Sequence, residues 1–547
     1  MKPIRLEDLI RATGGRLLGD YRDMNTVITG AQSDNRLIEE GNVFFAFPGE
    51  RVDGHRFVTA ALKAGASGAV VTKTPQEGGY EILPGCFCLL VDDAVLAYGD
   101  FARWYRAQFS IPVIGITGSV GKTTTKDMVA SVLAQHYRTA HTAGNFNNNI
   151  GLPRTVLTIG EDTEAAVIEM GMNHPGEISY LTGIARPTVA VITNIGEAHI
   201  GNLGNKENIF KAKCEIFEGL EKGAPRHAQE EAVREDRAAD MTGVGKEPAG
   251  SVVCHGRRAA GGGFAVLNGD DEYLIRLRED PEIPHRYRLT YVGESADCEW
   301  RAVDIEDTLS ESIRFTAATP VGTFPVTVPA LGRHMIYPAL TAAAVGAALG
   351  LSAEEIQGGI AAYVPTKMRM ETIRLENGVT IYNDTYNANP QSMKAGLLTL
   401  SKSSGRRIAV LGDMFELGEM EETLHREVGA YAASLPIDVL VMVGKASSYM
   451  AEAASESRDR KSCPSQEGTA VTADGRAAAD MAVRSAAAST DTGLDGSRSL
   501  KQIFRCADKE EATSVIDRLR GPETTWLFKA SRGMALEELV NHLREQR

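Results

Sequence analysis

One recurring unit constrains this chain more than any other feature. A short apolar run ends in Gly, Thr or Asn and then gives way to helical periodicity. It appears as "PVIGIT", "AAVIEMG" and "VAVITNIG", and again after residue 367 as "VTIYNDTYN", "RIAVLGDM", "DVLVMVG" and "TWLFKAS". Runs without polar alternation suit strands buried on both faces, and parallel strands of that kind need crossover helices. The fold class expected is therefore α/β. At 547 residues the chain is too long for one core, so three domains are expected. These are a small mixed α/β domain over 1–110, a central parallel-sheet domain with a phosphate loop over 111–366, and a Rossmann-like α/β domain over 367–547. In the first, "NVFFAF" reads as a strand and "HRFVTAALKAGASGAVV" as helix, glycine stop and strand. Two stretches break the pattern, at about 224–263 and about 455–500. Both are poor in large apolar residues and read as mobile insertions. Peripheral helices are the competing reading, because Ala favours helix.

Charge and composition exclude several classes. The net charge of -14 argues against nucleic acid as a partner, since a phosphate backbone needs clustered Lys and Arg. No apolar run is long enough for a transmembrane helix, and the N-terminus lacks the pattern of a signal peptide. Seven cysteines lie scattered without a C-x-x-C pair, and Cys86 and Cys88 would share one face of a strand. Reduced thiols and a cytoplasmic location are expected. The chain is taken as a monomer.

The stretch "GITGSVGKTTTK" at 115–126 joins a strand to a helix. That context suits a phosphate loop, whose successive backbone N–H groups make a positive pocket at a helix N-terminus. Gly118 and Gly121 allow close backbone approach, with Ser119 and Thr124 as further loop contacts. Lys122 would neutralise phosphate oxygens, and the Thr123 hydroxyl would ligate Mg2+. The common spacing rule asks for glycine at 116, where this chain has Ile116. Glu169 and His199 each follow an apolar run, which places them near strand carboxyl ends, where open parallel sheets bind ligands. Alone, either would read as a structural side chain. Their shared position beside the loop makes them catalytic and metal-binding candidates together with Lys122 and Thr123.

The departure at Ile116 becomes informative here. "TGSVGKTT" at 117–124 resembles the T-G-[ST]-x-G-K-T-[ST] loop of the Mur ligases, ATP-dependent amide-forming enzymes of peptidoglycan precursor synthesis. "AKCEIF" at 212–217 is similar to that family's A-K-x-x-[IL]-F motif. The resemblance implies a carbamylated lysine at Lys213, which would supply an oxygen to a second Mg2+. "GNFNNNIGLP" (144–153), "NDTYNANPQSMKAGL" (383–397) and "AVLGDMFELGE" (409–419) resemble the branch that joins D-alanyl-D-alanine to UDP-N-acetylmuramoyl-tripeptide. ATP and two Mg2+ are the implied cofactors, an acyl phosphate the implied intermediate, and closure of the third domain over ATP the implied motion.

Further residues carry over by position. The resemblance implies that Asp384 holds the ATP ribose, that Arg369 reaches the phosphates, and that Asn387 and Asn389 line the nucleotide cleft. Asn145 is implied in substrate binding. "KASR" (529–532) resembles a KGSR motif near the incoming dipeptide, which implies contacts from Lys529, Ser531 and Arg532. "SDNR" (33–36) with "GERVDGH" (49–55) resembles the uridine-nucleotide site, implying Ser33, Asp34 and Arg36. The family pattern H-N-x-x-N-A appears as "HMIYPA" (334–339), so Met335 and Pro338 replace two asparagines, one of which contacts adenine in the family. Pro338 fits if it falls in a first helical turn. The rival expectations are a sibling ligase or folylpolyglutamate synthase that adds one amino acid, and a non-catalytic nucleotide-binding relative.

Overall fold

The computed structural model describes residues 1–49, 52–220, 263–307, 312–462, 500 and 502–545. These residues fall into two compact units, one spanning 1–366 and the other beginning at Lys367.

The first unit holds two principal sheets. The smaller has five strands, in the order Arg16–Leu17, Phe87–Leu90, Gly68–Val71, Asn42–Phe45 and Gly30–Gln32. It is parallel except where Arg16–Leu17 meets Phe87–Leu90. The strand read in "NVFFAF" and the helix–glycine–strand read after it correspond to Asn42–Phe45, Val58–Lys63 and Gly68–Val71.

The larger sheet has nine strands. From one edge they run Thr139–His141, Ala165–Glu169, Val113–Thr117, Val189–Ile192, Phe264–Asn268, Arg288–Gly293 and Trp300–Glu306, all parallel. Ile313–Thr319 and Gly322–Val328 then continue it antiparallel. The apolar-run pattern does not reach this end of the sheet. Its strands alternate instead, with Phe324, Val326 and Val328 buried and Thr323, Pro325 and Thr327 exposed, as expected where one face meets water.

Helix Lys122–Leu133 packs on this sheet beside helices Ile336–Ala348 and Ala353–Ala361. The approach is close enough that a Cβ at Gly359 would lie 2.4 Å from the Val132 Cα. Met335 and Pro338 are both buried, and Pro338 is the third residue of its helix, where no intrahelical N–H bond is lost.

The second unit has a six-stranded sheet in the order Glu371–Arg374, Thr380–Asp384, Thr524–Lys529, Arg406–Gly412, Val439–Val443 and Gln502–Cys506. Only the first pair is antiparallel. Ile408, Val410, Val441, Trp526 and Phe528 build its core. The four apolar runs read in the third block include its four central strands.

Both supposed insertions lie mainly outside the described residues. Residues 455–462, read as the start of the second, continue helix Ser447–Ser462. Among the described residues no helix is long and apolar enough to cross a membrane, and Cys86, Cys88, Cys214, Cys298 and Cys506 are free thiols.

Candidate active site at the phosphate-loop edge

Strand Val113–Thr117 is buried throughout and delivers the chain into the loop. Gly118 has φ +144°, and a Cβ there would stand 1.9 Å from the Thr193 hydroxyl. No other residue type fits so close to the neighbouring strand end. Gly121 has φ +82° and begins the helix that opens with Lys122. The loop is braced from the next strand. Asn194 Oδ1 accepts from Val120 N at 2.9 Å, Asn194 Nδ2 donates to Val120 O at 2.9 Å, and Thr193 Oγ1 donates to the same carbonyl at 2.6 Å. The Ser119 hydroxyl accepts from Gly196 N at 2.9 Å. Lys122 Nζ folds back onto Gly118 O at 2.8 Å. Thr123 is buried and Thr124 half-buried in the first helical turn.

Parallel register brings the other candidates to the same edge. Glu169 pairs with Ile116 and Ile192 pairs with Thr117, so the chain leaves all three strands at one level. The Thr117 hydroxyl donates to Met170 O at 3.0 Å, which ties the two strand ends together. Glu169 is 1% exposed. Its Oε1 accepts from Asn147 Nδ2 at 2.7 Å, and its Oε2 is buried without a hydrogen-bond partner. A buried carboxylate oxygen left this way is costly unless a cation completes it. His199 follows the bracing segment, half-buried, in the left-handed region at φ +65°. Lys213 lies on helix Lys206–Cys214 and is 1% exposed. Burial pushes its pKa well below the ordinary lysine value, and the Lys122 charge lowers it further. That second cause places the two lysines within electrostatic reach. Lys122, Glu169 and Lys213 therefore share one neighbourhood, with His199 just past the segment that braces it.

Asn147 is a residue that sequence reasoning missed. The Asn-rich run was represented by Asn145, which is exposed, whereas Asn147 is half-buried against Glu169. A signal was present in Gly171, two residues past Glu169, where a Cβ would lie 2.8 Å from Asn147 Oδ1.

The nucleotide-site candidates of the N-terminal sheet form a compact turn. Asp34 caps the short helix Asn35–Leu37 through Arg36 N and holds the Arg36 guanidinium at 2.7 Å. The hydrogen bonds from Arg36 lower the Asp34 pKa to about 2. Ser33 beside it is exposed.

In the second unit, Asp384 ends strand Thr380–Asp384, and its Oδ2 accepts from Lys529 Nζ at 2.6 Å. Lys529 is 2% exposed and also donates to Asn387 O at 3.0 Å. Arg369 stacks 4.2 Å over the Tyr386 ring. It lies between Met368 at φ +60° and Met370 at φ +48°, two left-handed residues that hold it on a sharp bend. Asn389 caps helix Pro390–Ser401 by accepting from Ser392 N at 2.9 Å. The Ser531 hydroxyl accepts from Phe415 N at 2.8 Å, and Arg532 pairs with Glu537 at 2.5 Å. Asn387 is exposed, with its side chain folded onto Ala388 N.

A phosphate loop at the carboxyl edge of a parallel sheet, followed by a second α/β unit, defines a class of nucleotide-dependent enzymes. Comparison with known proteins narrows it. Sequence models match over 27–82 (Mur ligase family, catalytic domain), 116–234 (Mur ligase middle domain) and 368–532 (Mur ligase, glutamate ligase domain). The chain belongs to the Mur ligase family. It is 35% identical to the UDP-N-acetylmuramoyl-tripeptide–D-alanyl-D-alanine ligase of Bacillus subtilis, over 95% of this chain and 94% of that one. It is 33% identical to the Escherichia coli protein of the same name, over 79% and 84% of the two chains. A crystal structure of MurF from Acinetobacter baumannii superposes with a TM-score of 0.77 at 29% identity, covering 100% of both chains. A MurF ligase from Thermotoga maritima, solved with ADP, shares the fold at 24% identity with a TM-score of 0.70, over 94% of this chain and 97% of that one.

Proposed function

We propose that this chain is an ATP-dependent ligase. It joins D-alanyl-D-alanine to the terminal carboxylate of UDP-N-acetylmuramoyl-tripeptide and releases ADP and phosphate. The substrate pair is that named for the Bacillus subtilis relative. The observation that carries the chemistry is the open, buried Oε2 of Glu169 beside the phosphate loop. A cytoplasmic site of action follows from that substrate.

A carboxylate repels an amine, so it needs activation. Its oxygen attacks the γ-phosphorus of ATP, the bond to ADP breaks, and an acyl phosphate forms. The amine of the dipeptide then attacks the acyl carbon, phosphate leaves, and the amine proton passes to solvent. Lys122 and the loop N–H groups stabilise the charge that develops on the transferred phosphoryl group. The Lys122 ammonium exchanges its present acceptor, Gly118 O, for phosphate oxygen. Ser119, Thr124 and the two glycines shape the cradle.

The donors suit Mg2+: Thr123 supplies a hydroxyl and Glu169 a carboxylate, both hard oxygens. His199 is the third candidate ligand. Among the described residues no three acidic, His or Cys side chains form a cation cage, so phosphate oxygens would complete the coordination. Bound there, Mg2+ lowers the cost of charge on the phosphoryl oxygens. Lys213 fits carbamylation for the same reason its charge is disfavoured. Attack of its deprotonated amine on CO2, with loss of a proton to water, would give a carbamate, and that anionic oxygen would be the donor for a second Mg2+.

The test is a ligation assay with ATP, Mg2+, the nucleotide tripeptide and D-alanyl-D-alanine, read by mass spectrometry. The account expects the pentapeptide product with equimolar ADP and phosphate. Ligation of glutamate or a diamino acid in preference to the dipeptide would replace the substrate assignment. ADP formation independent of the acceptor carboxylate would overturn the chemistry.

A further inference from the structure

Lys126 lies one turn beyond Lys122 on the phosphate-loop helix and is only 2% exposed. Its Nζ donates to Thr142 O at 2.6 Å and pairs with Asp127 Oδ1 at 2.7 Å. Thr142 is fully buried, and its hydroxyl accepts the backbone N–H of Glu169 at 3.0 Å. Five residues on, Asn147 donates to Glu169 Oε1, while Asn147 O accepts from Gly171 N at 2.8 Å. The segment 142–147 thus grips Glu169 from both sides of its position in the chain, and Lys126 pins that segment to the loop helix.

From this geometry we infer that Lys126 is a positioning residue for the reaction. It holds segment 142–147 so that Asn147 occupies one oxygen of Glu169 and leaves the other directed to a divalent cation. The inference rests on the function proposed above. Burying an ammonium is expensive, and taking it away alone would leave Thr142 O and Asp127 Oδ1 without this donor, so Lys126 supports the local fold as well as the alignment. A merely electrostatic role predicts the opposite sign from alignment, because a buried cation repels a divalent ion. Removing it would then tighten cation binding.

The experiment is calorimetric titration of Mn2+ into the full chain saturated with ADP, paired with denaturant unfolding. Lys126→Met should lose part of its stability, remain folded at 25 °C, and bind Mn2+ about tenfold more weakly, as loss of a supporting contact does. Asn147→Ala should weaken binding similarly, and the double variant should be no weaker than Asn147→Ala alone. Equal or tighter Mn2+ binding by Lys126→Met overturns the inference. Should that variant fail to fold, Lys126→Gln carries the same test, since its polar side chain falls one bond short of Thr142 O. Unchanged affinity there overturns the inference equally. A wild-type chain that takes up no Mn2+ beside ADP would overturn the proposed function first, and the inference with it.

Discussion

The phosphate-loop edge of the first unit and the Asp384 end of the second are both strand carboxyl ends, yet their polar groups are arranged in opposite ways. At the first edge, Glu169 keeps one buried oxygen without a partner, and Lys213 is buried where its charge is disfavoured. In the second unit most candidates already have partners. Lys529 spans Asp384 and Asn387, Asn389 caps a helix, Ser531 holds the Phe415 N–H, and Arg532 pairs with Glu537. A group left incomplete is built for a ligand, whereas a group already complete positions its neighbours. Substitutions at the first edge should therefore cost turnover with little loss of stability, and several in the second unit should do the reverse.

The largest effect is expected for Lys122→Ala. Phosphate release should fall about a thousandfold, with binding of the uridine nucleotide intact in a direct titration. A native rate would place the chemistry elsewhere. Glu169→Gln keeps the Asn147 contact and removes the charge, so kcat should drop about a hundredfold while the unfolding midpoint holds. Lys213→Ala should lose most activity and regain part of it with added short-chain carboxylates. Absence of any loss would remove the carbamate.

Asn389→Ala tests the other half of the comparison. It removes a helix cap, so about 1 kcal/mol of stability should go while the KM for ATP stays level. A raised KM with unchanged stability would return Asn389 to the ligand. The smallest effect is a pH dependence centred on His425. The buried ring accepts from Met414 N at 3.0 Å and donates to Glu421 O at 2.7 Å, an arrangement that needs the neutral form. Burial lowers its pKa. The unfolded chain then binds a proton, near the usual pKa of about 6.5, that the folded one refuses. This contribution is complete above that pH and declines as pH falls through it. His425→Gln should flatten the dependence in denaturant titrations run at several pH values. An unchanged slope would assign it to other groups.

Much of this arrangement was legible in the sequence because it is local. The loop glycines, the lysine that follows them and the strand ends at Glu169 and Asp384 lie within or beside apolar runs, and parallel packing fixes where such ends point. Lys213 was legible only through a family motif, since nothing in its own helix marks it as buried. Asn147, Thr142 and Lys126 were not read, because their roles arise from contacts across 16 to 27 residues that no periodicity encodes. The antiparallel end of the large sheet escaped for a different reason. Its strands alternate with period two, and the continuous apolar runs used to find the others do not detect that pattern. Asn389 was visible as polar and motif-borne, but the motif does not distinguish a cap from a ligand contact.

The most direct measurement follows oxygen. The nucleotide tripeptide, labelled with oxygen-18 in its terminal carboxylate, is ligated to D-alanyl-D-alanine, and the released phosphate is weighed. Activation through an acyl phosphate requires one labelled oxygen in each phosphate formed. Unlabelled phosphate alongside complete ligation would contradict the account.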